Sequence, residues 1–372
     1  MAKLGDIATY INGYAFKPQD WSDEGVPIIR IQDLTGNSYQ ANRYNGEYAS
    51  KYEVNDGDVL ISWSASLGVY VWHGEKAVLN QHIFKVVFDK ERISKDFFVH
   101  QVGLILENAA SDAHGATMKH LTKPVFDALP FYLPPYEKQC EIAEVLDKVT
   151  SLISLRKQQL AKLDELVKAR FVEMFGDPVN NPMNYPKSQL GKVCDVRDGT
   201  HDSPEYYDVG YPLVTSKNVT GGKIDLSECN LISEDNYKKI CERSKVDRGD
   251  IIMPMIGTVG KPVIVNIEPM FAIKNVALIK FTLNSLVTNI YIKTLLESDY
   301  FDRAVLDKIR GGTQKFIALG DIRKLEIILP DLKHQLCFSA FVERVDQQKQ
   351  TVQQSLEKLE LLKKALMQEY FG

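Results

Sequence analysis

One fixed displacement lays the back of this sequence onto its own middle. Under it Thr117 falls on Thr313, Lys119 on Lys315, Leu129 on Leu325, Leu133-Pro134 on Leu329-Pro330 and Gln139 on Gln335. Leu160, Leu163 and Leu166 fall on Leu356, Leu359 and Leu362, and Phe175-Gly176 falls on Phe371-Gly372. Upstream the likeness continues with a drifting offset: Leu4-Gly5 pairs with Leu190-Gly191, Gly25-Val26-Pro27 with Gly210-Tyr211-Pro212, and Asp56-Gly57-Asp58-Val59 with Arg248-Gly249-Asp250-Ile251. Each half thus has a variable front and a register-locked back. Self-similarity on this scale predicts one structural unit made twice.

The two backs read as long helices. In 136–175 the apolar residues Ile142, Val145, Val149, Leu152, Ile153, Leu160, Leu163, Leu166 and Val167 recur at three- and four-residue steps. In the second copy Val345, Val352, Leu359 and Leu366 recur every seventh residue, with Leu356 between them, as a coiled-coil seam requires. Each run follows a proline (Pro134-Pro135; Pro330) and closes on a glycine suited to a left-handed C-terminal position. Two such helices could pack separately on their own domains. Their length, about forty residues against a usual three or four turns, favours packing on each other.

The fronts mix short β-rich runs (VPIIRI, DVLISW, HIFKVVF; DIIMPMI, PVIVNI, NVALIKF) with Gly, Asn and Asp turns. One helix is expected in each, over about 95–108 and 287–309, before loops at His114–Thr117 and Gly311–Gln314. The expected fold is α+β: two globules in tandem repeat, separated by two long helices that pack on each other. The boundaries are 1–133, 134–178 (first helical region), 179–329 (linker and second globule) and 330–372 (second helical region).

Composition narrows the function classes. The five cysteines form no CxxC pair, so neither a disulfide framework nor a Cys-rich zinc site is expected. No long apolar run and no signal-like start are seen, which predicts a cytoplasmic protein without a membrane span. The first front carries 12 Lys+Arg against 16 Asp+Glu, and residues 186–329 carry 20 against 19. Neither is the basic footprint of a strong nonspecific DNA binder. Catalytic motifs are missing too. Gly257-Thr258-Val259-Gly260-Lys261 continues into Pro262 rather than a phosphate-loop helix, and no GxSxG elbow or HExxH pair occurs.

What remains are polar clusters at matching places in both fronts. Arg30, Gln32 and Asp33 stand against Ser216, Lys217 and Asn218, each group following a Gly-x-Pro strand. Ser62 and Ser64 stand against Pro254 and Ile256; Asn80, Gln81 and His82 against Lys274 and Asn275; Thr117 and Lys119 against Thr313, Gln314 and Lys315. Arg, Lys, Asn and Gln are the side chains that bond base edges, and Lys and Thr suit phosphates. Two readers of different sequences need such groups at equivalent positions with different residues. Strand-end turns rich in hydrogen-bonding residues would look the same.

The phrase Leu133-Pro134-Pro135-Tyr136-Glu137-Lys138-Gln139, a long helix, then Met174-Phe175-Gly176-Asp177-Pro178 resembles the specificity (S) subunit, HsdS, of Type I restriction-modification systems. So do Asp198–Pro204, Gly249-Asp250-Ile251 and Gly257–Gly260, which bring Thr200, His201 and Thr258 into the candidate DNA-contacting set. Pro330-Asp331-Leu332-Lys333-His334-Gln335 departs from the phrase, lacking the second proline and the glutamate. The resemblance implies that each front is a target recognition domain reading half of a bipartite double-stranded DNA site. The helices then pair as an antiparallel coiled coil about a pseudo-twofold, acting as a ruler and as the docking surface for two methyltransferase (M) subunits, with restriction (R) subunits joining through that core. The candidate seam and docking residues are Val145, Val149, Leu152, Leu160, Leu163, Leu166, Val345, Val352, Leu356, Leu359 and Leu366.

The resemblance also implies no catalytic residue, metal or cofactor in this chain: S-adenosylmethionine belongs to M, and ATP and Mg to R. Helices of this length span about 60 Å, at about 1.5 Å per residue. That caps the helix-spanned distance at roughly 17 base pairs of about 3.4 Å each. Because the fronts differ, an asymmetric target is expected. A specificity subunit of a Type IIB-like system, or a helical protein-interaction adaptor, would share much of this pattern.

Overall fold

The structure, a computed structural model, describes residues 1–37, 42–112, 122–257, 259–282, 284–305 and 316–372. The chain divides into two compact units, Met1–Lys157 with Gln354–Gly372, and Gln158–Gln353.

Each unit holds the same pair of sheets. In unit 1, Thr9–Asn12, Ile83–Val87, Val59–Ser62 and Gly68–Val71 form a four-stranded antiparallel sheet in that order. Beside it Val26–Ile29 runs parallel to Ala77–Leu79, with Ile28 opposite Val78. In unit 2 the counterparts are Asp195–Asp198, Val276–Lys280, Ile251–Pro254 and Val263–Ile264, again antiparallel. There Tyr211–Val214 runs parallel to Ala272–Ile273, with Leu213 opposite Ala272. Glycine is required where the sheets meet. A Cβ on Gly13 would lie 2.0 Å from the Asn80 carbonyl oxygen, and one on Gly199 would lie 2.4 Å from that of Ile273.

The repeated Gly-Asp phrase has a structural role in both units. Asp58 accepts the Asn55 N–H and pairs with Lys85 at 2.8 Å; Asp250 accepts the Asp247 N–H and pairs with Lys280 at 2.6 Å. Each carboxylate closes a turn and anchors a lysine from the neighbouring strand.

The two long helices span Tyr136–Phe175 and Leu332–Phe371. Each contributes to both units, and within each unit the pairing is antiparallel. In unit 1, Lys157 meets Glu360 at 3.0 Å and Arg156 donates to the Ser355 hydroxyl, while Leu366, Met367, Tyr370 and Phe371 pack on a core that includes Ile142 and Leu146. In unit 2, Lys349 meets Asp164 at 2.6 Å, Arg170 lies over the Phe341 ring, and Phe171 and Phe175 both contact Phe338.

The seam differs in part from the sequence expectation. Val149, Val345, Val352 and Leu356 are buried, and Leu160, Leu163, Leu359 and Leu366 are half-buried. Val145, Leu152 and Leu166 lie outside it, 37%, 44% and 47% exposed. The inward stripe of the first helix is instead Ile142, Leu146, Val149, Ile153, Leu160, Leu163 and Val167, a heptad spacing. An apolar residue one position off that stripe is rotated by about 100° to the outer face.

The helix expected over 287–309 is two, Asn289–Leu296 and Asp299–Val305. Ser298 separates them: its hydroxyl donates to the Leu295 carbonyl, and its own carbonyl accepts the Phe301 N–H. Its counterpart in unit 1, Lys95–Asp112, is continuous. Unit 2 also has the helix Glu234–Ser244, capped by Ser233.

Candidate nucleic-acid interface

In both units the parallel strand pair and the central antiparallel strands bring the polar clusters to one strand end. In unit 1 a short helical turn, Ile31–Leu34, follows the strand Val26–Ile29, and the Asp33 carboxylate accepts the Arg30 N–H at 2.8 Å. In unit 2 the turn Ser216–Asn218 follows Tyr211–Val214, and the buried Asn218 accepts from the Thr215 N–H and hydroxyl. Asp33 and Asn218 are therefore the locks of these turns. The side chains left to reach outward are Arg30 and Gln32 in one unit and Lys217 in the other; the Ser216 hydroxyl is buried without a partner among the described residues.

Arg30 lies 5.3 Å from the centroid of the Trp21 ring, a cation–π contact that holds the guanidinium at the rim. Asn80 and His82 sit on the turn before the central strand; His82 has φ 71° and its ring packs edge-on to Trp63, whose indole N–H donates to Asn12. The Asn80 side-chain oxygen is buried without a partner among the described residues. Gln81 makes the backbone bond to Tyr14 that closes this turn. Ser62 and Ser64 are buried, the Ser62 hydroxyl donating to the Ser64 carbonyl, so this pair supports the strand end from beneath.

In unit 2 the same strand end is a concavity of about 470 Å³. Tyr206, Ser216, Lys217, Asn230, Lys274 and Asn275 line it. Asn275 has φ 55°, matching His82 at the equivalent turn. Lys274 donates to the Ser203 hydroxyl at 2.7 Å, and the Thr200 hydroxyl accepts the Asp202 N–H. His201 bridges Asp198 and Asn275 through its two ring nitrogens, each contact 2.8 Å. Asp198 is 8% exposed and also binds Arg243 from the helix Glu234–Ser244. Burial pushes the Asp198 carboxyl up, but the bonds from Arg243 and His201 outweigh it and hold its pKa below the ordinary value. The Asn275 carbonyl, then Asp198, raise His201 above its ordinary pKa.

Thr117, Lys119, Thr258, Thr313, Gln314 and Lys315 lie outside the described residues. Sequence reasoning missed Trp21, Tyr206, Asn230, Asp198 and Arg243 as members of these sites. An aromatic or a carboxylate remote in sequence carries no mark of the guanidinium or imidazole it will meet. Among the described residues no group of three or more His, Cys, Asp or Glu side chains could hold a metal ion. None of their helices is long and apolar enough to cross a membrane.

Two copies of one α+β unit, each with a differently furnished strand-end cluster and a share of two long helices, define a tandem recognition protein. The chain belongs to the family described as Type I restriction modification DNA specificity domain, which matches residues 1–165 and again 182–361. It is 23% identical to the Type I restriction enzyme EcoBI specificity subunit of Escherichia coli, over 92% of this chain and 78% of that one. With the MjaVIII specificity subunit of Methanocaldococcus jannaschii it shares 24% identity, over 99% of this chain and 90% of that one. The fold matches the crystal structure of a Type I S subunit from M. genitalium at 14% identity with a TM-score of 0.58, covering 100% of this chain and 95% of that one.

Proposed function

We propose that this specificity subunit reads an asymmetric bipartite DNA site, the target recognition domain of residues 1–133 reading one half and that of 179–329 the other. One observation carries the reading. The same strand-end positions recur in both units with different hydrogen-bonding side chains, Gln32 against Lys217, Asn80 against Lys274 and His82 against Asn275. A duplicated scaffold with changed polar tips is what two different base sequences demand, since base edges are told apart by their donor and acceptor patterns.

The regions 134–178 and 330–372 then set the spacer and dock two methyltransferase subunits, through which restriction subunits join. The exposed Val145, Leu152 and Leu166 are available for that docking. On this reading the chain works in the cytoplasm and performs no chemistry. S-adenosylmethionine is used by the methyltransferase subunits, and ATP and Mg by the restriction subunits. A near-neutral chain suits such a complex, because its partners supply much of the positive surface that encloses DNA.

The test is single-molecule methylation mapping of cells carrying this chain and its methyltransferase. A split asymmetric motif that vanishes on deletion of the chain is the expected result. A methylome indifferent to deletion would refute the reading and favour a protein-interaction adaptor. Inserting a heptad within 150–165 is expected to change the spacer or abolish assembly; unchanged spacing would remove the ruler role.

A further inference from the structure

The polar chain Asp198–His201–Asn275 has a consequence for which base unit 2 reads. Both ring nitrogens of His201 face oxygens, Asp198 Oδ2 and Asn275 Oδ1, each at 2.8 Å. Two oxygens at two ring nitrogens need two N–H groups, so this arrangement is that of the imidazolium. It ties down the Asn275 carbonyl. No acceptor for the Asn275 Nδ2 is found among the described residues, and Asn275 lines the concavity beside Lys274 and Lys217. A neutral His201 giving its Nε2–H to Asp198 would present Nδ1 as an acceptor. The Asn275 amide would then turn over, and its carbonyl would face outward.

We propose that the Asp198–His201 pair is a positioning device that fixes the Asn275 amide with its NH2 outward, so that unit 2 presents donors and selects an acceptor-only base edge, the O6/N7 edge of guanine. Without it Asn275 presents either edge and fits adenine as well, since adenine offers one donor and one acceptor. Lys274 and Lys217 add further donors, and Arg243 holds Asp198 ionised from the other side. The groups acting on His201 are Asn275 on the turn before Val276–Lys280, Asp198 on its strand and Arg243 on the helix Glu234–Ser244; the first two favour the charged ring and the arginine opposes it. The inference rests on the proposed reading of DNA by unit 2.

The experiment maps the methylated motif of the assembled complex for the wild type, Asn275→Asp and His201→Gln. Aspartate tolerates the left-handed turn as asparagine does, but it offers acceptors only. The expected wild-type motif has a guanine in one half-site. Asn275→Asp lowers the preference for that guanine by about tenfold or more, as loss of a specific base contact does, and shifts it toward cytosine. His201→Gln relaxes the same position toward adenine. The other half-site is unchanged in both, which reports that the fold survives.

An unchanged motif in both variants, or equal relaxation of both half-sites, would overturn the inference. Loss of all methylation by Asn275→Asp would overturn it too if His201→Gln kept the guanine. A wild-type complex that specifies no split motif would instead refute the functional reading, and this inference with it. Phosphate contact by the same donors is the other source of acceptors; in that case binding weakens in both variants with no base preference altered, which also overturns it. With the purified complex, discrimination of guanine from adenine at this position is expected to fall as pH rises through the folded pKa of His201.

Discussion

Gln139 and Gln335 make the same two bonds in the two units. The Gln139 side-chain oxygen accepts the Ser94 N–H at 2.9 Å and its amide donates to the Pro134 carbonyl at 2.9 Å. The Gln335 oxygen accepts the Thr288 N–H at 2.9 Å and its amide donates to the Pro330 carbonyl at 2.8 Å. Both side chains are essentially fully buried. Each ties the start of a long helix to the start of a globule helix, Lys95–Asp112 in unit 1 and Asn289–Leu296 in unit 2, so one amide helps to fix the orientation of the long helix on its globule.

Gln139→Leu and Gln335→Leu are therefore expected to destabilise by about 2–4 kcal/mol each, because two backbone groups lose their partners in the first and three in the second, where the Gln335 amide also donates to the Leu286 carbonyl at 3.0 Å. Each effect should be local to its unit. Hydrogen exchange would show faster opening of 95–112 for the first variant and of 289–296 for the second, and loss of protection in both places from one substitution would contradict the argument.

Phe175 and Phe371 close equivalent helices, and each enters a globular core. Phe175 contacts Tyr291 and Phe338 in unit 2, with centroids 5.1 and 5.4 Å away; Phe371 lies 5.4 Å from Phe97 in unit 1. Phe175 is fully buried and Phe371 half-buried. Phe175→Ala is expected to cost about 3–5 kcal/mol and Phe371→Ala less. Thermal unfolding followed by unit-resolved hydrogen exchange checks the order. The C-terminal substitution should loosen unit 1, although it lies far along the chain from the residues it contacts.

Lys280 is drawn between Asp247 and Asp250 at 2.8 and 2.6 Å, and Asp250 is 3% exposed. The Lys280 bond, set against some desolvation, holds the Asp247 carboxyl below its ordinary pKa. A carboxylate with a depressed folded pKa contributes stability that is present above its unfolded pKa and is lost as pH falls through the folded one. Lys280→Met leaves a buried carboxylate unpaired and is expected to destabilise by about 3 kcal/mol at neutral pH. The gap from wild type should narrow as melting is repeated at pH values falling below the ordinary carboxylate range. A gap independent of pH would show that the lysine stem, not its charge, matters.

Trp21→Ala should test the rim of unit 1. Its ring holds Arg30, and cation–π contacts at exposed sites contribute about 0.5–1 kcal/mol. The expected result is weaker selectivity at one position of one half-site, by a few-fold, with Arg30→Ala giving the larger loss at the same position. Methylation mapping reads both, and changes at different positions would separate the two residues.

Lys217→Ala removes an exposed cation on the turn that Asn218 locks. If Lys217 meets a phosphate, binding weakens across all sequences and the salt slope falls by about one ion. If it meets a base, one position relaxes. Titrations at several salt concentrations distinguish these outcomes.

The sequence by itself determined the duplication, the two long helices to within a few residues of their ends, the α+β fronts and the strand ends where polar clusters emerge. These are periodic or locally encoded: heptads, Gly-Asp turns and β-branched runs report backbone geometry directly. It was less able to say which members of a cluster hold the fold and which face outward. Asp33 and Asn218 looked like readers and are turn locks; Ser62 and Ser64 are buried; Val145, Leu152 and Leu166 matched the apolar period yet lie off the seam. Only tertiary structure decided these, because the competing partners are backbone groups and helix faces whose positions depend on packing. The same holds for Arg243, which comes within reach of Asp198 through a helix that unit 1 does not share among its described residues. Contacts between residues distant in sequence are settled by the fold, and the orientation of the Asn275 amide is settled by such a contact.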